Sequence, residues 1–384
     1  MGLNTEQLYL IELAKCSILD ITPQNPPNDL NWDEFNKFAS ENRVRSVIYY
    51  GLKKIDESLL PEGLLNIYKQ VLLTNFSLEE SHKEALKNII NKCDNQKIET
   101  ILVKGLDIAR LYPQQAMRSV GDIDIIIREK DLETVCQIML DLNFEFKYEG
   151  GSQYVFNHKK SNIVVEIQTA LYDDIKENKN EVFDRVWENS TLCSENSYIR
   201  KIDTEFYFAY LISHIYRHST HSGIGLRHII DIPIFEEKVK HKFDSQKFKD
   251  LIVELDLEVF TVNLLSACTK YLNDEELEIE TGNEEDMMEF FINCGNFGIS
   301  KIEQSYEFSL AVKGEKSKFL MLLNACFPDS RRLATKYTYL NKYPYLYFVS
   351  LIQLNFSRLF RPNKIIERYE KISNMKQEVL QEQV

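Results

Sequence analysis

Apolar positions along the chain change their spacing twice. From Thr5 to about Ile98 they recur at helical intervals: Leu8, Ile11 and Ile18, then Phe35, Phe38, Val44 and Val47, then Leu86, Ile89 and Ile90. The joint Pro23-Gln-Asn-Pro-Pro27 separates the first helix from the next. Trp32-Asp33-Glu34 predicts a helix start, because acids favour the first turn. From about Glu99 the apolar runs become short and β-branched. Ile101-Leu-Val103 predicts a strand ending at Lys104-Gly105, Leu106 to Tyr112 a helix stopped by Pro113, and Ile123 to Ile127 a second strand. An amphipathic helix, Asp131 to Leu142, follows. Three further extended segments, Phe144 to Tyr148, Tyr154 to Asn157 and Ile163 to Ile167, are divided by turns at Gly150-Gly151 and Lys159 to Asn162. From Asp174 onward the spacing reads as helical again, through Glu205 to His218, Gly225 to Lys240, Phe248 to Tyr271, Glu285 to Cys294 and the aromatic stretch Tyr343 to Arg361. The pattern predicts an α+β fold: a small mixed-sheet core over 99–172, flanked by helical regions over 1–98 and 173–384.

Composition narrows the partners. Of 384 residues, 44% are hydrophobic and 27% charged, ordinary values for a packed globular protein. Lys and Arg total 46 against 59 Asp and Glu, a net charge of −13. Nucleic-acid binding draws on a basic face, so this balance argues against nucleic acid and toward a small molecule, a glycan or a protein. The seven cysteines are scattered and never form C-x-x-C, which points to a reducing compartment rather than a disulfide framework. No run of about eighteen apolar residues occurs. The first residues lack the pattern of a signal peptide, so the chain reads as cytoplasmic, without a transmembrane segment.

The candidate chemistry lies in Arg118-Ser-Val-Gly121-Asp122-Ile-Asp124-Ile-Ile-Ile127. Residues two apart on a strand share a face, so Asp122 and Asp124 project side by side while Ile123 and Ile125 pack inward. Paired carboxylates repel unless a cation lies between them, and hard oxygen donors suit Mg²⁺. Glu166, flanked by Val165 and Ile167, is a third acid on a neighbouring extended segment; it would complete a two-metal site or act as base toward a hydroxyl. The plain alternative is a solvated strand edge with an outward-facing glutamate. Arg118 is placed either to clamp a triphosphate or to pair with the carboxylates.

Leu102-Val-Lys104-Gly105, Leu111-Tyr-Pro113, Arg118 and Gly121-Asp-Ile-Asp124 resemble the bacterial uncharacterised nucleotidyltransferase family, within the polymerase-β-type nucleotidyltransferase superfamily. The similarity extends to Gly225-Leu-Arg227-His-Ile-Ile-Asp231. The resemblance implies three carboxylates, Asp122, Asp124 and Glu166, binding two Mg²⁺ ions around a nucleoside triphosphate. It further implies attack by an acceptor hydroxyl on the α-phosphate, with AMP moving from ATP to a small molecule, sugar or protein. Lys104, Gly105, Arg118 and Gly121 then fall on the nucleotide-binding side. The superfamily's turn carries Gly-Gly or Gly-Ser, whereas this chain has Lys104-Gly105, so a charge stands in place of the usual small residue.

Four of the seven histidines crowd His214 to His228. His214 and His218 share a helix face at i,i+4, but Ile215 occupies the glutamate position of H-E-x-x-H. Together with Arg227 they are candidates for the acceptor or phosphate side. Two competing functions remain: a non-catalytic nucleotide-binding regulator or antitoxin-like protein on the same fold, and a zinc hydrolase built on the histidines.

Overall fold

Alternation along one strand organises the architecture. In β2 (Asp122–Ile127), Ile123, Ile125 and Ile127 face one apolar layer, with Val165 and Ile167 of β5 (Val164–Gln168), Ile89 and Cys93 of α4 (Leu64–Asn95), and Val135, Ile138 and Met139 of α6 (Leu132–Asp141). Ile126 faces the opposite layer. There it joins Ile101 and Val103 of β1 (Thr100–Val103) in a larger cluster shared with α8 (Thr204–His221) and α9 (Leu226–Val239). By the same alternation Asp122 and Asp124 lie on the α8 and α9 side.

The structure, a computed structural model, describes residues 2–171, 180–195, 197–221, 223–274, 280–295, 346–347 and 349–350. Two compact units divide the chain, Met1–Gly314 and Glu315–Val384. Of the second, the described residues show only helical backbone near Tyr347 and Ser350, whose hydroxyl donates to the Tyr347 carbonyl at 2.6 Å. The aromatic segment Tyr343 to Arg361 and the charged C-terminus otherwise lie outside the described residues.

Among the described residues of the first unit, seven strands form one mixed sheet. Its order is β3-β4-β5-β2-β1-β7-β6, with β3 at Phe144–Gly150, β4 at Gln153–His158, β6 at Ser190–Leu192 and β7 at Ile199–Ile202. The pairs β2–β5 and β1–β7 are parallel; the remaining neighbours are antiparallel. The helical lead-in is α1 (Thr5–Ile18), α2 (Trp32–Glu41), α3 (Arg45–Leu52) and α4. Asn31 caps α2 by accepting from the Asp33 and Glu34 amides at 3.1 and 3.2 Å, which fixes the start that the acids predict.

Two expectations are corrected. Ser190–Leu192 and Ile199–Ile202 are strands rather than helix: β7 pairs beside β1 at Thr100 and Ile101 and extends the sheet. Its four residues, Ile-Arg-Lys-Ile, are too short and too polar to show a strand period. Phe248 to Tyr271 is two helices, α10 (Ser245–Glu254) and α11 (Glu258–Leu272). Between them Asp256 takes a left-handed conformation (φ 51°) while the Asp256 and Leu257 amides close the end of α10 on Val253 and Ile252. Helical periodicity persists across such a break, so spacing alone does not reveal it. Among the described residues no helix is long and apolar enough to cross a membrane.

Candidate active site

Parallel pairing of β2 on β5 puts Asp122 beside Val164 and Asp124 directly beside Glu166. Asp124 is almost fully buried, at 3% exposure, and Glu166 is half-buried. Gln168, next on the same face of β5, donates its side-chain N–H to Asp124 Oδ1 at 2.9 Å. Gln153, from β4, donates to Glu166. Burial raises the Asp124 carboxyl well above the usual carboxylate range; Lys104 opposes the rise, and Asp122 and Glu166 add to it. Burial also raises Glu166, again with Asp122 adding and Lys104 opposing. Burial is thus the main cause of both shifts, repulsion from neighbouring acids adds to it, and the Lys104 ammonium offsets part of it. Among the described residues no group of three or more His, Cys, Asp or Glu side chains is drawn together tightly enough to hold a metal ion as the side chains stand.

The turn between β1 and α5 (Gly105–Ala109) faces these acids. Lys104 has φ 52° and ψ −137°, backbone that is essentially reserved for glycine. Its amide donates to the Tyr207 hydroxyl of α8 at 2.7 Å, which pins the strained residue in place. Its ammonium stands 3.6 Å from Asp124 Oδ1 and 5.5 Å from the Tyr210 ring centroid. Gly105 is required for a different reason: a Cβ there would sit 2.8 Å from the Asp122 carbonyl oxygen. The turn thus packs directly onto the first residue of β2. Gly121 is exposed, and a Cβ on it would meet nothing within 4 Å.

Arg118 is not poised over an open site. It is 5% exposed and pairs bidentately with Asp231 of α9, Nε to Oδ1 and Nη2 to Oδ2, both at 2.8 Å. Its Nη1 donates to the Gly105 carbonyl at 3.1 Å, and the Tyr112 hydroxyl donates to Asp231 Oδ1 at 2.7 Å. Of the two placements the residues suggest, the structure gives the ion pair, but with Asp231 rather than with the carboxylates of β2. His214 and His218 meet edge to face, with ring centroids 4.3 Å apart, and His214 lies 6.5 Å from the His228 ring. Burial depresses His214 well below the usual imidazole range, with Lys104 and His218 adding. The histidine cluster and Lys104 therefore share one side of the sheet.

A family model described as uncharacterised nucleotidyltransferase matches residues 28–273, and the match takes in the turn, all three carboxylates and α9. The chain belongs to that family. It is a nucleotidyl-transferring enzyme. No curated protein sequence matches it. Two solved structures show a weak similarity: the solution structure of the antibiotic-resistance factor ANT(2'')-Ia, and the crystal structure of ANT(2")-Ia in complex with adenylyl-2"-tobramycin. Both are 10% identical, with TM-scores of 0.35 and 0.33, covering 48% and 46% of this chain and 96% and 97% of their own. A likeness of that size says nothing about substrate.

Several residues that shape this nucleotidyltransferase's site are silent in its sequence. Gln153 and Gln168 look like ordinary strand polars until β4 and β5 pair. Tyr207 reads as one more core aromatic of α8. Asp231, which nothing in its own segment marks as a partner of Arg118, is 5% exposed and neutralises it.

Proposed function

We propose that this nucleotidyltransferase moves a nucleoside monophosphate, AMP from ATP, to a hydroxyl of a small-molecule, sugar or protein acceptor, with Mg²⁺ bound by Asp122, Asp124 and Glu166. The observation that supports this reading is the register of β2 on β5, which sets Asp124 beside Glu166 with Asp122 two residues back on the same face. The donor set fits the ion. The three donors are hard carboxylates, and a divalent cation would offset both the burial that chiefly raises Asp124 and Glu166 and the repulsion from Asp122 that adds to it. Bound there, Mg²⁺ would supply Lewis-acid stabilisation of charge on the transferring phosphate. The chain itself supplies position and a fixed positive charge. Lys104 aims its ammonium at the same carboxylate cluster, and Gly105 lets the turn press against Asp122. The acceptor oxygen bonds to the α-phosphorus as the bond to the pyrophosphate oxygen breaks; the hydroxyl proton passes to solvent.

The test is incubation with ATP labelled in the α-phosphate and a panel of hydroxyl acceptors. Label on the acceptor, with pyrophosphate released only when Mg²⁺ is present and only when Asp122 is intact, supports the proposal. Release of inorganic phosphate with the label left in ADP would refute it.

A further inference from the structure

Two of the three acids are each met by a glutamine from the neighbouring strand. The register sets Asp124 beside Glu166 and Glu166 beside Val155, so Gln168 of β5 and Gln153 of β4 stand one alternation away on the same face. Diagonal neighbours of this kind lie about 7–8 Å apart, within reach of a long side chain. Gln168 crosses that gap to Asp124, and Gln153, half-buried, crosses it to Glu166.

The Gln168 contact is the more enclosed of the two. Gln168 is 6% exposed and Asp124 3%, and Nε2 donates to Oδ1 at 2.9 Å. A carboxylate only accepts, so the amide nitrogen rather than its oxygen must face it. Lys104 Nζ stands 3.6 Å from the same oxygen. Both donors therefore converge on Oδ1, and Oδ2 is the oxygen they leave for a cation. Their contributions differ in kind. The ammonium attracts Asp124 but repels a metal ion, whereas the neutral amide turns the carboxylate without opposing the charge that is to bind. Orientation matters here because Mg²⁺ demands near-ideal octahedral geometry from each ligand.

We propose that Gln168 is a positioning residue for the metal: by holding Asp124 Oδ1 it presents Oδ2 to an ion shared with Asp122 and Glu166. The role rests on the assignment of Mg²⁺ to the three acids. Partners that orient metal ligands in this way contribute tenfold or more to metal affinity. A glutamine that only satisfies a buried carboxylate in the metal-free protein would contribute to folding and not to binding.

The experiment is calorimetric titration of the full chain with Mn²⁺, alongside melting curves and turnover. Gln168→Met keeps the length and removes the donor; Gln168→Asn keeps the amide and shortens its reach. In both, Mn²⁺ affinity should fall about ten- to a hundredfold. Turnover should recover most of its wild-type value at saturating Mn²⁺, since all three acids remain. A lower melting temperature with the Mn²⁺ constant unchanged would overturn the role. A measurement on the wild type covers the case of variants that do not fold. With the glutamine side chains labelled with ¹⁵N, the Gln168 amide protons should stay protected from exchange when Mg²⁺ is added. Loss of that protection means that the amide leaves Asp124 as the metal arrives, which overturns the proposal. The two readings fail separately. Weaker Mn²⁺ binding in the variants of a protein that moves no label from ATP would sink the transfer reading and leave the positioning role standing. Label transfer with unaltered Mn²⁺ affinity in both variants would sink only the positioning role, and no Mn²⁺ binding in the wild type would overturn both.

Discussion

Replacing Lys104 separates its backbone from its charge. Residue 104 holds φ 52° and ψ −137° whatever its side chain, because Tyr207 fixes its amide and Gly105 is packed against β2. Lys104→Ala keeps the strain, about 1–3 kcal/mol for such a backbone region, and removes the ammonium. Lys104→Gly removes both, and glycine's extra freedom in the unfolded chain returns only about 0.4–1 kcal/mol of the gain. The glycine variant should therefore be more stable than the alanine variant by about 1 kcal/mol. Nucleotide affinity should not distinguish them. Each loses one charge-assisted contact of about 1.5–3 kcal/mol, which weakens Mg·ATP roughly ten- to a hundredfold. Lys104→Arg should recover only part of this, because a planar fork does not replace a point charge. Melting curves give the first comparison and calorimetry with Mg·ATP the second. Equal melting temperatures for the two variants would refute the strain argument. An unchanged dissociation constant in both would take Lys104 out of the nucleotide site.

Three further outcomes are expected. Asp122→Asn and Asp124→Asn should each abolish Mg²⁺-dependent turnover while the metal-free protein melts at an equal or higher temperature, since one of the clustered negative charges is gone; turnover retained in both would undo the metal assignment. Asp231→Asn should destabilise by about 3–5 kcal/mol, because it strands the buried Arg118 charge, and denaturant melts showing a loss under about 1 kcal/mol would mean that water reaches the pair. Gel shifts at physiological salt should show no DNA or RNA complex below roughly micromolar protein, given the net charge of −13, and a tight complex with one RNA would reorder the acceptor classes.

What could be read from the chain follows physical range. The β-branched run of β2, its alternation and the neighbouring segment that carries Glu166 are local signals, and the strands stand where the pattern puts them. The start of α2 was legible for the same reason, because Asn31 and the acids after it act within one turn. Pairings across long separations were not. Arg118 and Asp231 are 113 residues apart, and nothing in either neighbourhood announces the other. The strain at Lys104 was half visible: a lysine where the superfamily has glycine is a departure in sequence, but that it keeps glycine's backbone is apparent only from the dihedral angles.

The turn that carries Lys104 is held by residues made much later. Its amide waits for Tyr207, 103 residues downstream, and the arginine on its Gly105 carbonyl is oriented by Asp231. Contacts of such sequence separation form late, after the loops between them have closed. A growing chain that has released only the sheet segments over 100–168 therefore holds the carboxylates but not the fixed turn opposite them. Transfer competence should switch on only once α9 has left the ribosome and docked, so incomplete chains are silent by construction. The same logic sets the smallest working fragment: it must run through Asp231, well past the last carboxylate.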